Sequence, residues 1–198
     1  RGLGDVYKRQ DFVRLRAETD SSALKKKFSD NTIYRKNLPS NTSSRSLYNI
    51  AEKIRYESLG GKMLKGIEKN FHENYSQILD RKRKEKLKTK EDVPVTEAFE
   101  LYMLKNFHKI QLNSLNSRIL NFWEQDFDQS IEKHKEFLMK NIEDQNIYSS
   151  KFSQIFEEMD IFQSEEEKDK EEENQDQGQD NPSNDDQNKD NEDSKDEN

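Results

Sequence analysis

The 198-residue chain has no cysteine, three prolines and six glycines. Without thiols there is no disulfide framework, no thiolate nucleophile and no Cys-ligated metal; the composition fits a reducing compartment. Breakers are few, and runs alternating polar with β-branched residues are missing. Almost everything from Asp11 to Phe162 therefore reads as helix. No apolar run approaches the ~18 residues that a membrane span needs, so the expectation is a cytoplasmic protein with no membrane partner. Apolar residues are scarce altogether, at 29% against 38% charged, with a mean hydropathy of −1.31. That balance cannot supply a core over the whole length, and implies a modest folded part plus disorder.

Charge separates the two parts. Residues 163–198 hold 16 Asp/Glu and 4 Lys, a net of −12, against −7 for the whole chain. The difference leaves +5 on residues 1–162, so the overall acidity belongs to the tail. Beyond Phe162 the stretch "SEEEKDKEEENQDQGQDNPSNDDQNKDNEDSKDEN" has no aromatic or aliphatic residue. It cannot offset its ordering entropy by burial, and is expected to be a disordered acidic linker. At the other end, residues 1–10, "RGLGDVYKRQ", match residue for residue a translated sequencing adapter. They are set aside from fold reasoning as a probable artefact, and the gene product is expected to begin and end elsewhere. Without the adapter's +2, residues 11–162 carry +3.

Within 11–162 the apolar spacing predicts an all-α, irregular bundle of five to seven helices. The first runs around Phe12 to Phe28, with Leu15, Leu24 and Phe28 as anchors. "SDNTIYRKNLPSNTSS" is a turn-rich separator. A second helix starts at a cap near Ser43 or Ser44 and carries Leu47, Ile50, Ala51 and Ile54. "SLGGKMLKG" is expected to interrupt or kink it at Gly60–Gly61, before Leu64, Ile67, Phe71, Tyr75, Ile78 and Leu79 resume the pattern. After the charged connector "DRKRKEKLKTKED", Pro94 suits the first turn of a helix through Ala98, Leu101, Tyr102 and Lys105, with Phe99 and Phe107 near the same face. Asn113 or Ser114 can cap a helix through Leu115, Ile119, Phe122, Trp123 and Phe127. Ile131, Leu138, Met139 and Ile142 follow, and the last apolar stretch is Ile147 to Phe162.

Motifs that carry chemistry are missing. "LGGKMLKG" is no phosphate loop: Met63 follows Gly61-Lys62 where a hydroxyl should reach magnesium, and no strand precedes it. Close helix packing or a kink is the better account. His72, His108 and His134 fall on separate predicted helices, and "FHENY" lacks the second histidine of a zinc-peptidase motif. "RKRKEKLKTK" has no interleaved aromatics and sits on a nearly neutral body, so a solvated connector is preferred over a nucleic-acid patch. No catalytic constellation is legible.

Four stretches in order resemble the T subunit family of aerobic cobaltochelatase. "SRSLYNIAEKIRYESLGGKMLKGIEKNF" is similar to a segment reading A-R-x-[LIV]-[FY]-[DE]-A-[LV]-E-Q-A-R-[VC]-E-[AS]-[LI]-G-x-x-x-M-x-G-[VI]. Arg45, Leu47, Tyr48, Glu52, Arg55, Glu57, Gly60, Met63 and Gly66 carry the likeness. "AETDSSALKKKFSDNTIYRKNLPSN" resembles the family's D-x-x-A-L-x-x-[KR] core and later proline through Asp20, Ala23, Leu24 and Pro39. "PVTEAFELYMLKNF" resembles its P-[LI]-x-[ED]-A-[LF] helix. "IEDQNIYSSKFSQIFEEMDIF" resembles its I-E-D-Q-x-x-[FY] end, and an acidic linker follows as in the family. "KNFHK" departs by replacing a Thr-Gly that usually closes the third helix.

The resemblance implies residues 11–162 as the N-terminal helical domain and 163–198 as the linker. The von Willebrand A-type domain with its D-x-S-x-S site, which follows in the family, is absent from this sequence. It further implies a non-ATPase subunit that works with an AAA+ ATPase subunit and a large chelating subunit in a hetero-oligomer. With ATP and Mg²⁺, that complex inserts Co²⁺ into hydrogenobyrinic acid a,c-diamide during cobalamin synthesis. No catalytic, cofactor-binding or metal-binding residue is expected within these 198 residues, and no nucleic acid partner. Arg55, Glu57 and Gly60 are the candidate docking or structural element, since paired charges beside a helix break are unusual filler; an ordinary helix surface is the alternative. The competing class is a stand-alone helical scaffold or acidic chaperone-like protein.

Overall fold

The structure, a computed structural model, describes residues 3–80 and 87–159. The acidic segment 163–198 and residues 81–86 of the charged connector lie outside the described residues. Among the described residues the chain is all-α. In order come α1 (Leu3–Phe28), α2 (Asn31–Lys36), α3 (Thr42–Met63) and α4 (Lys65–Leu79). A 3-10 turn at Lys90–Asp92 precedes α5 (Val95–Asn106), α6 (Ser114–Asn121), α7 (Glu124–Phe127), α8 (Lys133–Lys140) and α9 (Gln145–Glu158). A π-helical turn, Asp128–Glu132, joins α7 to α8.

Two helices organise the packing. α3 lies against α1, α4, α5 and α9. α5 buries Ala98, Phe99, Leu101, Tyr102, Met103 and Leu104, an apolar surface nearly all round, as a central helix requires. Phe99 anchors an aromatic cluster, edge-on to Phe127 at 5.5 Å and to Phe156 at 5.4 Å between ring centroids. Phe152 stacks on Phe156 and meets Phe107. Such pairs add about 0.5–1.5 kcal/mol each beyond the area they bury.

Polar side chains fix the helix ends. Asp30 caps α2 through Thr32 N and Ile33 N, Asn41 caps α3, Asn113 caps α6 and Asp144 caps α9. The amides of Asn113 and Asn116 both donate to the Leu79 carbonyl at 2.8 Å, which ties the C-terminal end of α4 to the start of α6. Trp123 Nε1 donates to the Val93 carbonyl at 3.0 Å, and the Lys90 ammonium sits 4.2 Å over its ring.

Several expectations need correction. α1 starts at Leu3 rather than near Phe12, because no proline stops it and only Gly4 disfavours helix on the way back. Its buried stripe runs through Val13, Ala17 and Leu24, while Leu15 is 61% exposed; two residues turn a helix by about 200°, so Leu15 faces away from Val13. α3 begins after Asn41, not at Ser43 or Ser44. It does not break at Gly60–Gly61 but runs on to Met63, and the break is the extended Leu64 (φ −138°, ψ 110°). The helix expected from Leu115 to Phe127 breaks at Phe122–Trp123, where Trp123 turns to bond Val93. α2 was not foreseen, since its six residues lie inside a turn-rich stretch.

Gly60 stays in α3 for a packing reason. A Cβ there would sit 2.3 Å from Leu24 Cδ1 and 2.9 Å from Leu24 Cγ, so the missing side chain is what lets α1 approach α3. Gly60→Val is therefore expected to destabilise the domain by about 2–3 kcal/mol. In a Leu24→Ala background the same change should cost markedly less. Urea unfolding of the four variants checks this, and strict additivity would show that the crossing relaxes freely.

Candidate functional site

The residues with chemistry gather on α3, and inside the protein. Glu52 and Arg55 are three residues apart on one face of the helix. Glu57, two residues on, points about 200° away toward α1 and α4. Arg55 is 0% and Glu57 1% exposed. All three candidates, Gly60 included, are buried, so the ordinary-surface alternative does not describe them.

Arg55 Nε donates to Glu52 Oε1 at 3.2 Å, and its Nη2 donates to the Phe28 carbonyl at 2.6 Å and to Ser29 Oγ at 3.3 Å. The planar fork thus bridges a carboxylate and the backbone elbow after α1. Glu52 also accepts from Ser149 Oγ and, at 3.3 Å, from Gln145 Nε2, both on α9. Gln145 closes the circuit by clamping both backbone polar groups of one elbow residue, Asp30. Its Oε1 accepts from Asp30 N at 2.7 Å and its Nε2 donates to the Asp30 carbonyl at 3.2 Å. Nearby, Tyr148 O–H donates to the Ala51 carbonyl. α1, α2, α3 and α9 are thereby joined through one buried polar network.

Glu57 belongs to a second cluster. Its two carboxylate oxygens accept from Ser21 Oγ on α1 and from the Tyr75 hydroxyl on α4, each at 2.6 Å. Burial raises its pKa above the usual carboxylate range, against the pull of nearby Lys53 and of these two donors. Burial likewise pushes the Tyr75 hydroxyl well up, with the Glu57 charge adding to it. Tyr75 lies edge-on to the His108 ring at 5.9 Å. His108 follows α5, pairs with Ser58 Oγ at 3.3 Å, and is lowered to about 4 by burial. It is neutral at neutral pH.

Chemically this arrangement holds a structure. Glu52 has four donors on two oxygens. Among the described residues no buried side-chain polar atom lacks a hydrogen-bond partner, and no group of three or more His, Asp or Glu is placed to hold a metal ion. His72 lies on α4, His108 after α5 and His134 on α8. No described helix is long and apolar enough to cross a membrane. Gln145 and Ser149 were not singled out by sequence reasoning, and Glu52 only as one of the residues that carry the likeness. The available signal was the "IEDQ" stretch, in which Asp144 caps α9 and the next residue, Gln145, turns inward to the elbow.

Fold and site together define an all-α domain braced internally by buried charge. No characterised protein and no solved structure matches the chain. Residues 3–198 do match a family, described as cobalamin biosynthesis protein CobT. The chain belongs to that family, and with it to cobalamin biosynthesis.

Two measurements test the buried groups. Arg55→Met leaves Glu52 charged and unpaired, and should cost about 3–5 kcal/mol. Arg55→Met combined with Glu52→Leu should cost clearly less than the single change, as read from urea midpoints; equal losses would show that the pair is not coupled. His108 sets a pH dependence. Its folded pKa of about 4 lies below the ordinary histidine value of 6.5, so the unfolded chain takes up the proton first as pH falls. Stability is complete above pH 6.5 and falls between there and pH 4, by roughly 3 kcal/mol for this group. In His108→Gln that slope should flatten.

Proposed function

We propose that this chain is the non-ATPase subunit of an ATP-dependent cobaltochelatase, acting through its helical domain as an adaptor to an AAA+ partner. What carries the reading is the family match over residues 3–198, together with where the resembling residues sit. Leu47, Tyr48, Glu52, Arg55, Glu57 and Gly60 are all buried on α3, and Asp144 and Gln145 start α9 and clamp the elbow. Apart from exposed positions such as Arg45, Met63 and Gly66, the residues of α3 that carry the likeness are therefore those that make the fold, and a shared fold supports a shared role in the same assembly.

On this reading Co²⁺ and hydrogenobyrinic acid a,c-diamide are substrates of the complex. ATP and Mg²⁺ are handled by the AAA+ subunit, and ring chelation by the large subunit. Metal insertion into such a ring is slow because the ring must distort and the aqua ion must shed water. A motor can drive a chelating subunit through those states only if something mechanically stiff links the two. A domain whose buried charges are all bonded meets that need, and the acidic linker gives it reach. Arg55, Glu57 and Gly60 serve that stiffness from inside, and docking falls to the surface.

The test is a pull-down of the full 198-residue chain against the matching AAA+ subunit, with and without ATP. Binding that changes with nucleotide is expected. No binding, with circular dichroism showing a helical chain, would overturn the adaptor role and favour a stand-alone scaffold.

A further inference from the structure

A cleft of about 650 Å³ opens where the end of α1, the start of α2 and one side of α3 meet. Its size is that of a small-molecule site. Three lysines line it from two helices, Lys25 and Lys26 on α1 and Lys53 on α3, with Tyr34 and Asn49 beside them. The Lys53 ammonium is turned to Glu100 at 3.5 Å and lies 5.4 Å over the Tyr75 ring. The ammonium groups of Lys25 and Lys26 have no hydrogen-bond or ion-pair partner among the described residues. The one carboxylate in the wall is Glu52, and its charge is already met by Arg55 and bonded by Gln145 and Ser149. Asn49 Oδ1 accepts from the Tyr34 hydroxyl, which leaves the Asn49 amide hydrogens as donors. The cleft thus holds net positive charge, donors and no uncommitted acceptor charge. Its walls are also fixed in advance, because Arg55 and Gln145 grip the elbow at Phe28, Ser29 and Asp30.

We infer that this cleft binds a small, multiply charged anion through its carboxylate or phosphate groups. The like charges of Lys25 and Lys26 repel each other, and an anion seated against them removes that repulsion beside walls that need no rearrangement. The cleft lies apart from the adaptor role, and the inference stands whether or not the AAA+ subunit binds.

The experiment is calorimetric titration of the full chain at low salt with citrate and, separately, with pyrophosphate. Saturable binding of at least one is expected, and whichever binds names the group: citrate alone means carboxylate, pyrophosphate alone phosphate. The double change Lys25→Glu/Lys26→Glu should weaken it by about tenfold or more. Lys62→Glu/Lys140→Glu, of equal charge change and outside the cleft, should alter it by less than about twofold. Circular dichroism confirms folding, and Lys25→Gln/Lys26→Gln serves if the reversed charges disturb α1. No saturable binding of either anion at millimolar concentration would overturn the inference. So would equal weakening by the two charge-reversed pairs, which would mean general attraction to a basic surface.

Discussion

The domain depends on a charge that it has no cheap way to bury. Arg55 sits with no exposed surface, and Glu52 beside it has almost none. Taking two such ions out of water costs several kcal/mol each, and their attraction alone does not reliably return it. The balance is met by the other bonds. Further bonds from Arg55 and to Glu52 go to other parts of the chain: the Phe28 carbonyl, Ser29, Gln145 and Ser149. An apolar pair of equal volume would fill the space, but would not select one elbow or one turn of α9. The ion pair acts as an alignment device: α9 meets α3 with Gln145 and Ser149 opposite Glu52, or the buried carboxylate loses two of its four donors.

This divides the work between the two sides of α3. Toward α5, packing is aromatic and non-directional, with Phe99, Phe127, Phe152 and Phe156 supplying bulk. Toward α1, α2 and α4 it is polar and directional, with Glu57 bonded to Ser21 and Tyr75 and with Gln145 on the elbow. Apolar contact tolerates small slides between helices at little cost. A saturated hydrogen-bond circuit does not, since a slide of one residue orphans several buried groups at about 1–3 kcal/mol each. The stiffness of the domain resides on the polar side.

The same division explains what could be seen in the sequence. Helical class followed from the absence of breakers and from apolar spacing such as Leu47, Ala51 and Ile54, which are all buried. Spacing alone failed where two stripes compete on one helix. Leu15 and Val13 are both apolar and lie on opposite sides of α1, and only the partner helix decides between them. Glycine was ambiguous for another reason. Gly60 signals either a backbone bend or a close approach, and Leu24 makes it the second. Where the family's Thr-Gly gives way to "KNFHK", Lys109 adopts φ 58°, a left-handed conformation that glycine takes without strain. The site was legible as residues and not as geometry. Arg55, Glu57 and Gly60 stood out as odd on a helix, but Arg55 bonds Phe28 27 positions away and Glu57 bonds Ser21 36 away, and the elbow clamp beside them joins Asp30 to Gln145 across 115 positions, distances no local pattern spans.

That outcome bears on how surfaces and interiors of such a domain can change. The stretches that resemble the family are occupied by residues whose roles are internal: a glycine that admits a leucine, an arginine that holds an elbow, an aspartate cap followed by a clamping glutamine. Each is constrained by partners within the same chain. The outward residues beside them, such as Phe12, Leu15 and Leu64, answer to no internal partner of that kind. A likeness carried mainly by the interior therefore measures the fold.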